Sequence, residues 1–445
     1  MILPKLPDPL DTVLSTFTAL LDARQRDLVV PLFVGILCAH GRRTVTSWFR
    51  AADITDGFRR GYHLLNSLGR RASLFAGVLF SRLRRHLDPG PRWLFALDDS
   101  PTQRYGPCVE GAGRHHNPTP GPCHHKFLYG HIWVTLAWMV HHPCDHTLGL
   151  PLGASLYVRQ ADLERFPPDK PRPPFQTKLA QAGDQVRWLK EQLRGTDKPI
   201  WLVVDGFYSK APVLRVAGQE GVVVVGRLRK DAALFSVPPE LPDGQRPRGR
   251  PRIYGKDQWS LAKRAGHQQG WQTVECWQYQ QKVTKTIKTF VATWHPAHGM
   301  IRVVLVKEED GWRAYFCTDV GASVASILEA VADRTGIEQV FCDVKEVEGA
   351  GQQQLRDWQA NVGAYHWNLW EYSLVEGWAW EKPAEEVCDR RKAPWDQEPR
   401  RPSHRDKRKG LQRLILRQEL FEGCEEQALQ EKMAQWWDRL ACWLP

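Results

Sequence analysis

The sequence predicts an α/β protein in which a mixed sheet is flanked by helical regions at both ends and interrupted by a β-rich insertion. Three observations point there. Apolar residues recur at helical spacing up to about residue 90. From Trp93 onward, strand-like apolar runs alternate with amphipathic helical stretches. After residue 229 the pattern becomes rich in loops and strands before helices return.

The helical start rests on Leu10 to Leu21, Val29 to Cys38 and Leu74 to Leu83. Within it, Gly41 to Arg50 reads either as the turn and basic helix start of a helix-turn-helix or as a solvated helix of an ordinary bundle. The first strand, Trp93 to Leu97, ends in Asp98-Asp99; others run from Phe127 to Trp138 and from Leu148 to Val158. An amphipathic helix from Thr177 to Leu193 precedes the strand Pro199 to Val204, which ends in Asp205-Gly206. A short helix (211–219) leads to the strand Val222 to Gly226. This order builds a five-stranded sheet of mixed direction. The insertion carries strands Lys285 to Trp294, Ile301 to Lys307 and Trp312 to Asp319, and Ser323 to Lys345 reads as helix, continuing or restarting to about 375. The divisions are 1–90, a helical region and candidate DNA-binding domain; 91–228, the first part of the core; 229–325, the insertion; 326–380, the helices completing the core; and 381–445, a basic linker with C-terminal helices, Ser403 serving as an N-cap.

Bulk properties narrow the function. The chain has 445 residues, enough for two to four modules, and its 42% hydrophobic and 25% charged residues are ordinary for a globular protein. Its 61 Lys and Arg against 50 Asp and Glu leave a net charge of +11, which favours a polyanionic partner, nucleic acid before membrane. Ten scattered cysteines with no CxxC pair read as free thiols in a reducing compartment. With neither a signal-peptide pattern nor an apolar span, the expected location is the cytoplasm.

The chemistry is carried by acids. Strands ending in aspartate place carboxylates at the edge of an α/β sheet where loops surround a crevice. At about 100° per residue, Arg334, Glu338, Phe341 and Lys345 share one helix face, so a carboxylate is flanked by cations. Mg²⁺ takes hard oxygen ligands and keeps waters, so a few carboxylates plus a substrate phosphate complete its shell. A pair of such ions about 4 Å apart activates one oxygen and stabilises another in phosphodiester chemistry. Each aspartate alone is more often a turn former; their joint occurrence on a basic chain points to a site. Paired carboxylates for glycoside hydrolysis explain neither the basic surplus nor the cations around Glu338.

These residues resemble the DDE transposases of bacterial insertion sequences, the RNase H-like group with the signature Y-x2-R-x3-E-x6-K. Arg334, Glu338 and Lys345 match in type and spacing, while Val331 stands at the Tyr position. Asp98-Asp-Ser-Pro-Thr resembles the first-aspartate strand end, and Val203-Val-Asp205-Gly the second. The resemblance spans about 93 to 350. It implies metal-dependent DNA cleavage at transposon ends, strand transfer by a 3′-OH, and two Mg²⁺ or Mn²⁺ ions held by Asp98, Asp205 and Glu338, with Asp99 as a substitute for Asp98. It further implies phosphate contacts from Arg334 and Lys345, a homodimer on double-stranded DNA, and a bacterial, nucleoid-associated setting. The alternatives are a nuclease without strand transfer and a domesticated DNA-binding protein on an inactive scaffold.

Two basic segments stand apart. Arg246, Arg248, Arg250 and Arg252 form a Pro/Gly-spaced run that reads either as a minor-groove AT-hook or as an exposed loop. Residues 389–417 carry eleven Lys or Arg against four Asp or Glu, and Arg405, Lys407, Arg408 and Lys409 are expected to meet phosphate there. The Cys- and His-bearing loop 108–146 lacks the spacing of a zinc site.

Overall fold

The computed structural model describes residues 6–116, 126–143, 147–239, 252–388, 395, 400–421 and 436. The N-terminal region folds into α1 (Asp8–Ala19), α2 (Ala23–Arg26), α3 (Val29–Cys38), α4 (Val45–Ala51), α5 (Phe58–Arg70) and α6 (Ala72–Leu83). The Thr44 hydroxyl caps α4 by accepting from Ser47 N at 3.1 Å. The adjoining turn faces the protein: Arg43 N donates to Gln352 Oε1 at 2.7 Å, while Arg42 and Arg50 stay exposed.

Next come β1 (Trp93–Gln103), β2 (Gly113–His116), β3 (Phe127–His141), β4 (Thr147–Tyr157), α7 (Gln160–Leu163), α8 (Lys178–Gln192), β5 (Ile200–Val204), α9 (Ala211–Glu220) and β6 (Val223–Leu228). β1 is antiparallel to β3 and parallel to β5, and β5 is parallel to β6. The sheet is mixed, as expected. It does not stop at five strands. β7 (Leu234–Phe235), β8 (Gln258–Trp259), α10 (Leu261–Gly266), β9 (Gln272–Gln278), β10 (Gln281–Trp294), β11 (Gly299–Glu308) and β12 (Gly311–Cys317) follow. Because β12 pairs with β6, the insertion extends the same sheet, in the order β2-β3-β1-β5-β6-β12-β11-β10-β7-β8. Ladder pairing satisfies the edge of β6, which a separate insertion would have left open.

The helices return as α11 (Val324–Asp333), α12 (Thr335–Glu346), α13 (Trp358–Ala379), α14 (Ala384–Val387) and α15 (His404–Phe421). The helix expected over 323–345 is instead two helices that meet at Arg334. α13 is buried almost all round, with Trp367 and Trp370 fully enclosed, as befits a helix threaded through the core. It crosses α5 at two glycines. A Cβ at Gly363 would lie 1.9 Å from the Leu65 carbonyl oxygen, and one at Gly69 1.9 Å from that of Gln359. Ser403 caps α15: its hydroxyl accepts from Asp406 N at 3.2 Å, while the Asp406 carboxylate accepts from Ser403 N at 2.9 Å. No helix among the described residues is long and apolar enough to cross a membrane.

Candidate active site

Asp98 sits inside β1 rather than at its end, since the strand continues to Gln103 along β3. The parallel pairing with β5 does end there. Leu97 pairs with Val204, and Asp98 and Asp205 follow immediately. Neighbouring strands lie about 4.8 Å apart, so the two aspartates open together where β1 loses its parallel neighbour, in the crevice that α/β sheets form at strand carboxyl ends.

Each carboxylate is oriented. Asp205 Oδ1 accepts from Phe207 N (2.9 Å) and Tyr208 N (3.0 Å), a local turn that fixes the side chain. Asp98 Oδ1 accepts from Asp99 N at 2.8 Å, and its Oδ2 accepts from Arg334 Nη1 at 2.8 Å. The second guanidinium nitrogen of Arg334 donates to Glu338 Oε1 at 2.6 Å. Arg334, at the junction of α11 and α12, therefore bridges the sheet carboxylate to the helix carboxylate. Burial pushes the Asp98 carboxyl up to about 6 against the pull of Arg334, and repulsion from Asp205 adds to the rise.

Asp99 is engaged elsewhere. Its Oδ2 takes Lys178 Nζ at 2.6 Å and its Oδ1 accepts from the Tyr208 hydroxyl at 2.8 Å. Successive strand residues point to opposite faces, which separates it from Asp98. Lys345 is half-buried and makes no ion pair among the described residues; burial holds its ammonium below the usual lysine range.

The donor chemistry fits hard divalent cations: carboxylate oxygens alone, one from within β1, one just past the end of β5 and a third from α12. As they stand, no group of three or more His, Cys, Asp or Glu side chains among the described residues is arranged to hold a metal ion. Asp98 and Glu338 are each paired with Arg334 instead.

Two clefts flank this centre. One, of about 880 Å³, runs from Asp205 and Arg334 past Arg227, Arg229, Lys230 and Arg313. Its cations escaped the sequence reading, although Arg227-Leu-Arg-Lys230 directly follows an apolar strand run and was there to be seen. The other, of about 1050 Å³, includes Glu329, Asp333 and Glu338 and, among the described residues, no Lys or Arg. Tyr279 lines both. It tips the β9–β10 hairpin, 63% exposed, where it and Gln280 hold φ at 51° and 64° as a two-residue primed turn demands.

A family model for DDE superfamily endonucleases matches residues 16–294. The chain belongs to this family. No curated protein matches it. Membership brings nuclease- or transposase-type cleavage of phosphodiester bonds, with DNA as substrate, and endonucleases of this superfamily generally use divalent metals. The matched span of this DDE endonuclease includes Asp98 and Asp205 and ends before Arg334 and Glu338.

The remaining basic residues divide by burial. Arg405 and Lys409 are exposed on α15 and Arg252 is exposed within the insertion; Arg246, Arg248 and Arg250 lie outside the described residues. The expectation that Lys407 and Arg408 meet phosphate is corrected, because both are buried. Lys407 Nζ lies 2.5 Å from Glu376 Oε2, and Arg408 Nε lies 3.3 Å from Glu348 Oε2. His404 joins the two acids, with Nε2 at 2.6 Å from Glu348 and Nδ1 at 2.8 Å from Glu376. The helical period turns positions 404, 407 and 408 inward while 405 and 409 face out. Of the Cys- and His-bearing loop, Cys123, His124, His125, Cys144 and His146 lie outside the described residues.

Proposed function

We propose that the chain is a DDE transposase that cleaves DNA at transposon ends and joins the resulting 3′-OH to target DNA. The observation that carries this reading is the position of Asp98 and Asp205 directly after the paired residues Leu97 and Val204, with Arg334 tying Glu338 to Asp98. Asp98, Asp205 and Glu338 would hold the divalent ions, Mg²⁺ or Mn²⁺. Bound there, the ions activate the attacking oxygen and stabilise the leaving one.

The protein's own residues do the rest. Asp98 and Asp205, held in place by the sheet and the turn after β5, would set where the ions sit. The cleft from Arg227 to Arg313 guides the DNA backbone toward them by charge. Lys345, two turns along the helix that carries Glu338, keeps a partly desolvated ammonium suited to a phosphate oxygen. Exposed Tyr279 offers a ring face at the rim for an unpaired base. In the first step a water oxygen attacks phosphorus and the bridging 3′ oxygen leaves, taking up a proton as a 3′-OH and leaving a 5′-phosphate; in the second, that 3′-OH loses its proton and attacks a target phosphorus, and the target's own bridging 3′ oxygen leaves and is protonated in turn. A homodimer that brings two ends together accords with such joining.

Short inverted repeats flanking the gene would supply the cognate ends. Glu338→Gln and Asp205→Asn are expected to abolish Mg²⁺-dependent cleavage of those ends while DNA binding persists; full activity in either variant refutes the reading. Pre-cut ends with a free 3′-OH decide between a transposase, which joins them to target, and a nuclease, which leaves them unjoined.

A further inference from the structure

We propose that Arg334 is an internal stand-in cation: it holds Asp98 and Glu338 together before metal arrives and is handed to DNA phosphate when the site loads. The inference rests on the metal-site reading above. Its own basis is the two-armed contact, with one guanidinium nitrogen at 2.8 Å from Asp98 and the other at 2.6 Å from Glu338.

Guanidinium and metal compete for the same carboxylates. Asp98 and Arg334 are each about four-fifths shielded, with side-chain exposures of 19% and 20%, so neither charge is left to water without cost. Without a cation the Asp98 and Asp205 carboxylates, which directly follow the paired residues Leu97 and Val204, repel one another. The guanidinium offsets that repulsion, and its planar fork reaches both Asp98 and Glu338 at once. It also sits on oxygens that a divalent ion needs. Loading therefore requires Arg334 to leave both carboxylates, and a departing guanidinium needs another anion. Arg334 lines the cleft that ends at Asp205, so a DNA phosphate in that cleft meets the released group. Metal and DNA then each weaken the contact that opposes the other, which makes their binding mutually favourable.

The test is Mn²⁺ binding, followed by the electron paramagnetic resonance of free Mn²⁺ and by calorimetry, on the full chain with and without a short mixed-sequence duplex. Compared are wild type, Arg334→Ala, Arg334→Lys and the nearby control Lys178→Gln, whose wild-type ammonium pairs with Asp99. Without DNA, Arg334→Ala is expected to bind Mn²⁺ about tenfold more tightly than wild type, a change of about 1.4 kcal/mol, with Lys178→Gln much closer to wild type. Arg334→Lys, which keeps the charge but cannot span both acids, should fall between. Added duplex should tighten Mn²⁺ binding in wild type by a larger factor than in Arg334→Ala. Equal Mn²⁺ affinity in wild type and Arg334→Ala overturns the stand-in role while leaving the metal site standing. An equal gain in Lys178→Gln reduces the effect to general electrostatics and overturns it too. Absence of bound Mn²⁺ in every variant, Arg334→Lys included, overturns the metal site itself.

Discussion

Asp98 and Asp205 stand side by side because the residues before them, Leu97 and Val204, are paired in register across two parallel strands. More than a hundred residues separate them in the chain, and the register alone brings them together. Beyond this pair β1 has only β3 beside it, so the crevice opens at the carboxylates.

The crowding at Asp98 predicts a pH dependence of metal binding. With its carboxyl pushed up to about 6, protons compete with cations below that pH. Mn²⁺ affinity in wild type should weaken by up to about tenfold per pH unit below 6, and Asp98→Asn should bind weakly with a flatter profile. Calorimetry across pH 5 to 8 reads both; a flat wild-type profile speaks against the assignment.

The C-terminal helix predicts a stability profile. His404 is raised to about 9 by its two buried glutamates. A base with a raised folded pKa contributes stability in full below its unfolded value near 6.5 and loses it as pH rises through about 9. Glu376 is held far below the usual carboxylate range by Lys407 and His404, so its share is present above about 4.5 and lost only in strong acid. Melting temperature should therefore fall between about pH 6.5 and 9, and His404→Gln should lose most of that slope along with a few kcal/mol at pH 6. Differential scanning fluorimetry over the range settles it.

Charge on α15 should act differently by face. Arg405→Gln with Lys409→Gln is expected to leave the melting temperature within a degree or so and to lower the slope of log affinity against log salt by about 1 for each phosphate no longer neutralised. Lys407→Met or Arg408→Met should instead destabilise the fold, because each strands a buried glutamate. Fluorescence anisotropy with labelled duplex and thermal melts separate the two effects.

The crossing of α5 and α13 predicts that Gly363→Ala costs about 1–3 kcal/mol or more, since the added carbon meets the Leu65 carbonyl and the backbone must shift. Chemical denaturation measures it; an unchanged midpoint means the helices have room that the structure denies.

Strand-forming runs such as Phe127 to Trp138 and Pro199 to Val204 were legible because apolar β-type residues bounded by turn formers leave little choice. The two aspartates were visible as residues, while their adjacency required the register. What escaped was non-local. The insertion joins the sheet through the pairing of β6 with β12, whose partners are far apart in sequence. The helix break at Arg334 lacks a proline or glycine at the junction residue itself, and the residue caps both helices in helical conformation. Arg104, buried where β1 ends, donates to the Gly351 and Gln353 carbonyls at 2.6 and 2.8 Å and holds the connection after α12, yet in sequence it is one more basic loop residue. Lys407 and Arg408 misled for the converse reason: their buried acidic partners lie on α13 and just after α12, outside any local window.

In the proposed site Asp98 and Asp205 share a metal ion. Crystals grown with Mn²⁺ and measured at its absorption edge test it directly. An anomalous peak is expected within about 2.2 Å of one oxygen from each aspartate, with Glu338 turned away from Arg334. A peak elsewhere, or carboxylates still bridged by the guanidinium at saturating Mn²⁺, contradicts it.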